Sequence, residues 1–485
     1  MTTDLRPRAH FTPARNWMND PNGLVHHDGV YHLFFQHNPF GATWGNMSWG
    51  HATSRDLVIW DELPVAIPCA AEEEIYSGSV VVDHRNSSGL GSSDRPPLVA
   101  IYTGVSTDGR QAQSLAFSTD GGYRWEKFSD NPVLDRGSRE FRDPKVFEFT
   151  SAAGGTRWIM VAVEAVDRQV LVYSSTDLRD WSFESVIGPT GPGDVVWECP
   201  DLFPLPVDGD PDRSKWVLLL STNRTGDITD SSMSYLIGSF DGHAFVADEV
   251  SAWRALDHGR DFYAAVTFSD VPDERRIAIG WAGNWQYAAE TPTHPWRGAM
   301  SSPRELSLTE QDGVVMLRQA LPREWGMEGS TADDSQPWRE VQIIPGERIS
   351  LPAGRHYIAD VSWTPSPDST LSLELVAGLG TGVRLVYDAA EQLLSLDRRN
   401  SGGPEVHPGF ATRTEAVTRL RDGALLLRIV VDASIVEVFA DSGAITFTDL
   451  VFPPDDADGL VLAADGGTGT VTVRALPSAA RTVGA

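Results

Sequence analysis

The sequence predicts an all-β protein, a five-bladed β-propeller followed by a C-terminal β-sandwich. Three observations carry this. Short apolar or alternating runs bounded by Gly, Pro, Asp and Asn recur along the chain, with little helical periodicity. The 485 residues include 44 Gly, 31 Pro and 16 Trp, a mixture suited to many short strands, tight turns and aromatic packing between sheets. A turn motif also returns at intervals of roughly 60 residues, long enough for four strands and their connections.

That motif is Ser/Thr, Asp, Gly or Leu, then an aromatic. It reads Ser54-Arg55-Asp56-Leu57 with Trp60, Ser118-Thr119-Asp120-Gly121 with Trp125, Ser175-Thr176-Asp177-Leu178 with Trp181, and Ser239-Phe240-Asp241-Gly242 with Phe245. Asp followed by Gly makes a tight turn, and the aromatic fills the space between neighbouring sheets. Trp60, Trp125 and Trp181 are therefore assigned to packing.

Some way upstream of each turn, where the innermost strand of a blade belongs, stand Asn19-Asp20-Pro21, Tyr76-Ser77-Gly78-Ser79, Arg142-Asp143-Pro144 and Trp197-Glu198-Cys199. A fifth element, Asp261-Phe262-Tyr263-Ala264, keeps the phase, with Asp20, Ser77, Asp143, Glu198 and Phe262 as markers. Inner strands of a propeller converge on one axial funnel. Three of the five deliver a carboxylate to it.

Cleaving a glycosidic bond with retention requires a carboxylate nucleophile and a second carboxyl that protonates the leaving oxygen, about 5 Å away. Asp20 and Glu198 meet that need in kind. Asp143, with Arg142 beside it to keep it ionised, suits a group that binds hydroxyls and favours a cationic transition state. Trp17, Trp44, Trp49, Trp281 and Trp285, with Asn19, Asn22 and Gln36, offer flat faces and amides for sugars.

The charge, 39 Lys+Arg against 67 Asp+Glu for a net −28, opposes nucleic acid and anionic membranes as partners and suits a neutral substrate. Two cysteines, Cys69 and Cys199, build neither a disulfide framework nor a cysteine-rich zinc site. No metal or other cofactor is called for. His26, His27, His32 and His37 lack an H-E-x-x-H pattern, and strand alternation sends them to opposite faces. The run from Asp208 to Asp212 departs from a calcium loop at Arg213 and Leu219 and reads as a solvated hairpin. The triplet Glu72-Glu73-Glu74, just before the Ser77 strand, reads as an exposed turn, with a place on the rim of the site as the alternative. The first ten residues lack a signal-peptide apolar run, so the expected location is cytoplasmic, or secreted if an export signal was trimmed.

Four motifs resemble those of the β-fructosidases of glycoside hydrolase family 32, which include invertases, levanases and exo-inulinases. They are Trp17-Met18-Asn19-Asp20-Pro21-Asn22-Gly23, Ser77-Gly78-Ser79, Phe141-Arg142-Asp143-Pro144-Lys145 and Trp197-Glu198-Cys199-Pro200-Asp201. The resemblance implies Asp20 as nucleophile, Asp143 as transition-state stabiliser and Glu198 as acid/base. It also implies that Gln36, Trp44, Ser77, Arg142 and Tyr263 hold the terminal fructose; Asn19 and Trp285 join them as candidate binding residues. Tyr76 departs from the Phe usual in the family. The segment from Gly280 to Tyr287 looks more like exo-acting levanases and inulinases than invertases, which favours fructans.

The propeller is assigned to residues 1–325, a Gly-, Ser- and Asp-rich linker to 326–340, and the sandwich to 341–485. Residues 371–375 alternate, and 425–431 and 435–439 are strongly β-prone. Stretch 432–452 resembles the family's C-terminal module, expected to pack against and stabilise the propeller. Three other readings compete. A fructosyltransferase shares the covalent intermediate. A non-catalytic sugar-binding propeller requires an acid to be missing. A sialidase fits the box Ser118 to Trp125 but needs an arginine cluster and a Tyr nucleophile.

Overall fold

The computed structural model describes residues 5–92, 94–151, 153–190, 193–224, 231–249, 253–325 and 339–477. Within them the chain is β-rich throughout, with a few single 3-10 turns.

The amino-terminal body consists of consecutive four-stranded antiparallel meanders. The first runs through Asn16–His27, Val30–Asn38, Ser48–Ser54 and Asp61–Ile67; the second through Glu73–Val82, Leu98–Ser106, Gln111–Ser118 and Glu126–Lys127. The third comprises Phe141–Thr150, Thr156–Glu164, Gln169–Ser175 and Ser182–Ile187. Val195–Val207, Asp210–Arg224, Ser231–Phe240 and Phe245–Ala247 follow, then Tyr263–Thr267, Arg276–Ala282, Arg304–Gln311 and Val314–Ala320. These last two groups are joined by one parallel pairing of Val207 with Leu308. The leading strands, those starting at Asn16, Glu73, Phe141, Val195 and Tyr263, touch in that order, and the last returns to the first.

Hydrophobic residues explain the ring, because each sheet buries both faces against its neighbours. Phe34, Trp49 and Val80 pack between the first and second meanders, and Ile101, Phe141 and Met160 between the second and third. Ile159, Trp197 and Leu218 fill the next interval. Phe203, Tyr235 and Leu306 follow. Leu33, Ile277 and Met300 close the circle back to the first sheet. This accounts for the wholly buried strand Val30–Asn38, which has no wet face to alternate with.

The repeated motif sits at the turn into the outermost strand. The side chains of Asp56, Asp120, Asp177 and Asp241 each accept hydrogen bonds from the backbone N–H groups that follow. The next residue takes a left-handed conformation, with φ of 60° at Leu57, 85° at Gly121, 65° at Leu178 and 91° at Gly242. Glycine is the unstrained choice there; the two leucines are tolerated because their side chains are buried. The sialidase-like box at Ser118 is thus a structural turn. The run at Asp208 is likewise a hairpin, closed by the pairing of Val207 with Asp210.

The second body stacks two six-stranded sheets. One runs in the order 339–343, 468–475, 356–364, 425–432, 435–440 and 445–450; the other runs 348–351, 459–464, 370–377, 383–388, 393–397 and 413–417. Its first strand, Arg339–Ile343, begins inside the segment assigned above to the linker. The rest of that assignment, 326–338, lies outside the described residues. Trp363, Leu373, Leu385, Ile429 and Val438 are among the residues buried between the sheets.

The two bodies are bound by buried ionic groups. Arg304, 1% exposed, donates to Asp257 at 2.9 Å and Glu437 at 3.1 Å. Its guanidinium lies 4.0 Å from the Phe262 ring centroid and 5.3 Å from that of Phe439. Arg398 pairs with Asp261 at 2.5 Å. At the amino terminus, Asp432 accepts from the backbone N–H of Arg8, Ala9 and His10, from His10 Nδ1 at 2.8 Å and from His356 Nδ1 at 2.7 Å. Glu437 lies 3.3 Å from His10 Nε2.

Burial by itself would lower the His10 pKa, but hydrogen bonds to Asp432 and Glu437 and their charges overcome it and raise it to about 9. A base with a raised folded-state pKa stabilises fully below its unfolded value near 6.5 and loses that stabilisation as pH rises through about 9. Wild-type stability is therefore expected to fall by roughly 2–3 kcal/mol between pH 6.5 and 10. Thermal unfolding across that range should show the decline, with His10→Gln flatter over the same interval.

Candidate active site

The chemistry-bearing residues lie where each leading strand breaks its pairing. Register shifts fall between Met18 and Pro21, Ile75 and Gly78, Glu198 and Asp201, and Tyr263 and Val266. In the third meander the shift falls opposite Arg142 and Lys145. A bulge re-aims the side chains it carries. Asp143, Cys199 and Ala264 hold positive φ values of 62°, 47° and 52°, so the backbone itself is turned at the site. Pro21, Pro144 and Pro200 stand at these breaks, where a missing N–H forfeits little.

Asp20, 9% exposed, accepts from Ser77 Oγ at 2.7 Å and Asn19 Nδ2 at 3.0 Å. Asn19 is in turn held by Trp17 Nε1 at 2.7 Å. Cys199 lies between two acids, its Sγ 3.7 Å from Asp20 Oδ2 and 3.6 Å from Asp143 Oδ2. Its backbone N–H donates to Asp143 Oδ2 at 3.0 Å. The Asp143 N–H donates to Thr103 Oγ1 at 3.0 Å, and the Thr103 hydroxyl passes on to Gln113 Oε1 at 3.0 Å.

Glu198 is gripped from both sides. Arg142 reaches its Oε1 through Nε at 3.2 Å and Nη2 at 3.1 Å, and the Tyr263 hydroxyl donates to Oε2 at 2.5 Å. Arg142 also donates to Glu140 at 2.8 Å, whereas Asp143 Oδ2 is 4.0 Å from its Nε. The Arg142 charge does favour the ionised Asp143, as its place beside that residue suggests, while its hydrogen bonds go to Glu198 and Glu140.

Burial raises the Asp20 carboxyl, and the Glu198 charge adds to it, against donors from Ser77, Asn19 and Cys199. Burial likewise raises Asp143, to about 7, with help from Glu198 and Asp20 and against the Arg142 charge. Burial and the same three acids push the Cys199 thiol well above its usual range, so it remains a neutral donor. Burial, followed by the Glu198 charge, raises the Tyr263 phenol similarly.

A carboxyl whose folded-state pKa is raised costs stability once ionised; the cost is absent near pH 4 and complete above about 7. Asp143→Asn is therefore expected to raise the unfolding temperature at pH 8 but not at pH 4, and to lower kcat about 10²–10³-fold.

Gln36 Nε2 donates to the Ile75 carbonyl at 3.1 Å. The Asn22 amide accepts from Gln36 Nε2 at 2.9 Å and donates to Ser77 Oγ at 3.3 Å. Trp44, 47% exposed, stands edge-on to Tyr76 at 5.9 Å, and burial, followed by the Glu74 charge, pushes the Tyr76 phenol up to about 12. Trp285 stacks on Trp17 at 6.0 Å.

Trp17, Trp49 and Trp281, offered above as sugar faces, are no more than 1% exposed and instead support the wall; Trp49 Nε1, for example, binds the Tyr76 carbonyl at 2.9 Å. Phe262 points away, under Arg304, and Tyr263 is the residue of that strand which enters the site. Glu73 is tied to Lys127 at 2.6 Å. Glu74 accepts from the Met47 N–H at 3.3 Å, beside Tyr76. The Cys199 thiol, the Thr103–Gln113 relay and Glu140 went unread. The Cys-Pro step after Glu198, a proline inside a strand, was a signal for the first of these.

Among the described residues no group of three or more His, Cys, Asp or Glu is placed to hold a metal ion. His32 and His51 face one another at 3.1 Å beneath Phe34, with their pKa values lowered by burial to about 4 and about 3. Three carboxyls, one guanidinium and several neutral donors are a set able to form and stabilise positive charge on a ligand carbon.

A model of the glycosyl hydrolases family 32 N-terminal domain matches residues 10–319, and one of the family 32 C terminal matches residues 330–476. The chain is 42% identical over 477 residues to a levanase of Bacillus subtilis (strain 168), covering 96% of this chain and 69% of that protein. It is 36% identical over 510 residues to an extracellular exo-inulinase of Aspergillus awamori, covering 97% and 93%. The crystal structure of exo-inulinase from Aspergillus awamori superposes with a TM-score of 0.90 at 34% identity, covering 99% of this chain and 100% of that one. Fructofuranosidase from Schwanniomyces occidentalis, complexed with fructose, gives 0.87 at 31% identity, with the same coverage.

Proposed function

From the premise that the chain belongs to glycoside hydrolase family 32, we propose that it releases terminal non-reducing β-D-fructose from levan, inulin and sucrose through a covalent fructosyl-enzyme intermediate. Asp20 attacks the anomeric carbon while Glu198 gives its proton to the departing oxygen, and Glu198 then takes a proton from the water that frees the sugar. Asp143 binds hydroxyls of the fructosyl ring and, with Asp20, meets the charge that develops there. Asn19, Gln36, Ser77, Arg142 and Tyr263 fix these acids and their pocket, and the half-exposed Trp44 and the partly buried Trp285 offer aromatic surface to the sugar.

The observation that carries this reading is the meeting of Asp20 and Asp143 on one cysteine thiol, with Glu198 held toward them by Arg142 and Tyr263. The net charge of −28 supports a neutral carbohydrate, rather than a nucleic acid or an anionic membrane, as partner. Chromatography of products from levan, inulin and sucrose tests the proposal. Free fructose as the first and dominant product is expected. Fructo-oligosaccharides of intermediate length, or transfer products dominating at high sucrose, would overturn it.

A further inference from the structure

Two parts of the pocket are built on groups that the second body supplies. The strand bearing Tyr263 starts beside Asp261, a fully buried carboxylate. Asp261 donates its N–H to the Thr448 carbonyl at 2.9 Å, and its Oδ2 accepts from the Leu450 N–H at 2.8 Å. Among the described residues its ion pair is with Arg398, at 2.5 Å. The Tyr287 hydroxyl joins the same group, 2.6 Å from Asp261 Oδ1 and 2.7 Å from Arg398 Nη2. Tyr287 closes the turn that presents Trp285, through backbone bonds from Tyr287 and Ala288 to the Asn284 carbonyl.

Arg398 is 1% exposed and itself fixed, with Nε on the Phe410 carbonyl at 2.7 Å, Nη1 on the Leu450 carbonyl at 2.9 Å, and the guanidinium 4.0 Å from the Phe410 ring centroid. The path from Arg398 to Glu198 is short: Asp261, one intervening residue clamped under Arg304, then the Tyr263 hydroxyl. It is also stiff, because Ala264 holds φ at 52° and its N–H is on Ser221 Oγ at 3.1 Å.

We infer that Arg398, a residue of the sandwich, is a positioning residue for the reaction: through Asp261 and Tyr287 it holds the Tyr263 hydroxyl on Glu198 and Trp285 in the pocket wall. Without its guanidinium, Asp261 is an unpaired charge in a dry interface, and the segment relaxes toward water. Tyr263 then leaves Glu198, and proton delivery to the leaving oxygen suffers before attack by Asp20 does. The inference rests on Glu198 being the acid.

The test compares two substrates through kcat/KM, which reports formation of the fructosyl-enzyme. Sucrose needs its leaving oxygen protonated, whereas β-D-fructofuranosyl fluoride departs with little proton assistance. Arg398→Met is expected to lower kcat/KM for sucrose about 10–100-fold and to leave the fluoride within about three-fold. His10→Gln, which loosens the interface elsewhere, should preserve the ratio of the two. A parallel fall on both substrates, or no fall on either, overturns the inference. If Arg398→Met does not fold, Tyr287→Phe removes one hydroxyl from the same group and should split the substrates in the same sense, about 3–10-fold; an unchanged ratio again overturns it. Glu198→Gln separates the two ideas. A split there but not at Arg398 sinks this inference alone, and no split at Glu198 sinks the acid assignment with it.

Discussion

Asp20→Asn is expected to cost at least about 10⁴-fold in kcat on levan, inulin and sucrose while leaving the unfolding temperature no lower than that of the wild type. The amide cannot form the fructosyl ester, so the double displacement has no first step. Its size is nearly that of the carboxylate, and its oxygen can still accept from Ser77. Asp20 is raised by burial and then by the Glu198 charge, so removing its own charge relieves repulsion instead of adding it. Kinetics and thermal unfolding on one preparation distinguish lost chemistry from lost structure. A variant retaining a tenth of wild-type turnover would exclude Asp20 as nucleophile.

Arg304→Met should be the most damaging single change outside the pocket. It leaves Asp257 and Glu437, respectively 1% and 0% exposed at the side chain, without their shared cation, and takes from the Thr448 hydroxyl the donor that Arg304 Nη2 supplies at 2.5 Å, leaving it only its own bond to Asp257 at 2.9 Å. Breaking one partner out of a buried pair typically costs about 3–5 kcal/mol. The expected result is a lower unfolding midpoint in heat and in urea at pH 7. A loss below about 1 kcal/mol would mean that the interface opens to water around these acids.

The sheets were legible because their signals are local: an Asp that caps its own turn, and an alternating run between two breakers. The three acids were legible because the phase of those turns carries them to the same end of the leading strands. What stayed hidden depends on backbone breaks and distant partners. Trp17 stands three positions before Asp20, and Trp49 and Trp281 sit on strands of the same body, but all three are covered by packing, Trp49 against the second sheet and Trp17 with Trp281 in the cluster behind Cys199 and Tyr263. Arg142 reads as a partner for Asp143 by adjacency, and its charge does act on that acid, but its hydrogen bonds to Glu198 and Glu140 depend on how the strands meet. Phe262 shares the phase of the acids but sits one residue before the one that faces the axis. Arg304, Arg398 and His10 meet carboxylates more than a hundred positions away in the chain, and no local pattern announces such meetings.

The clasp formed by residues 8–10 on Asp432 has a consequence for how the polypeptide is made. The backbone N–H of His10 and its acceptor lie 422 positions apart, so a ribosome has released residues 8–10 long before that carboxylate emerges. At about 5–20 residues per second the opening segment waits roughly 20–80 s for its site. Residues 8–10 and 432 are thus fastened together late in the synthesis of this stretch, and a nascent chain halted before residue 432 would leave residues 8–10 unanchored.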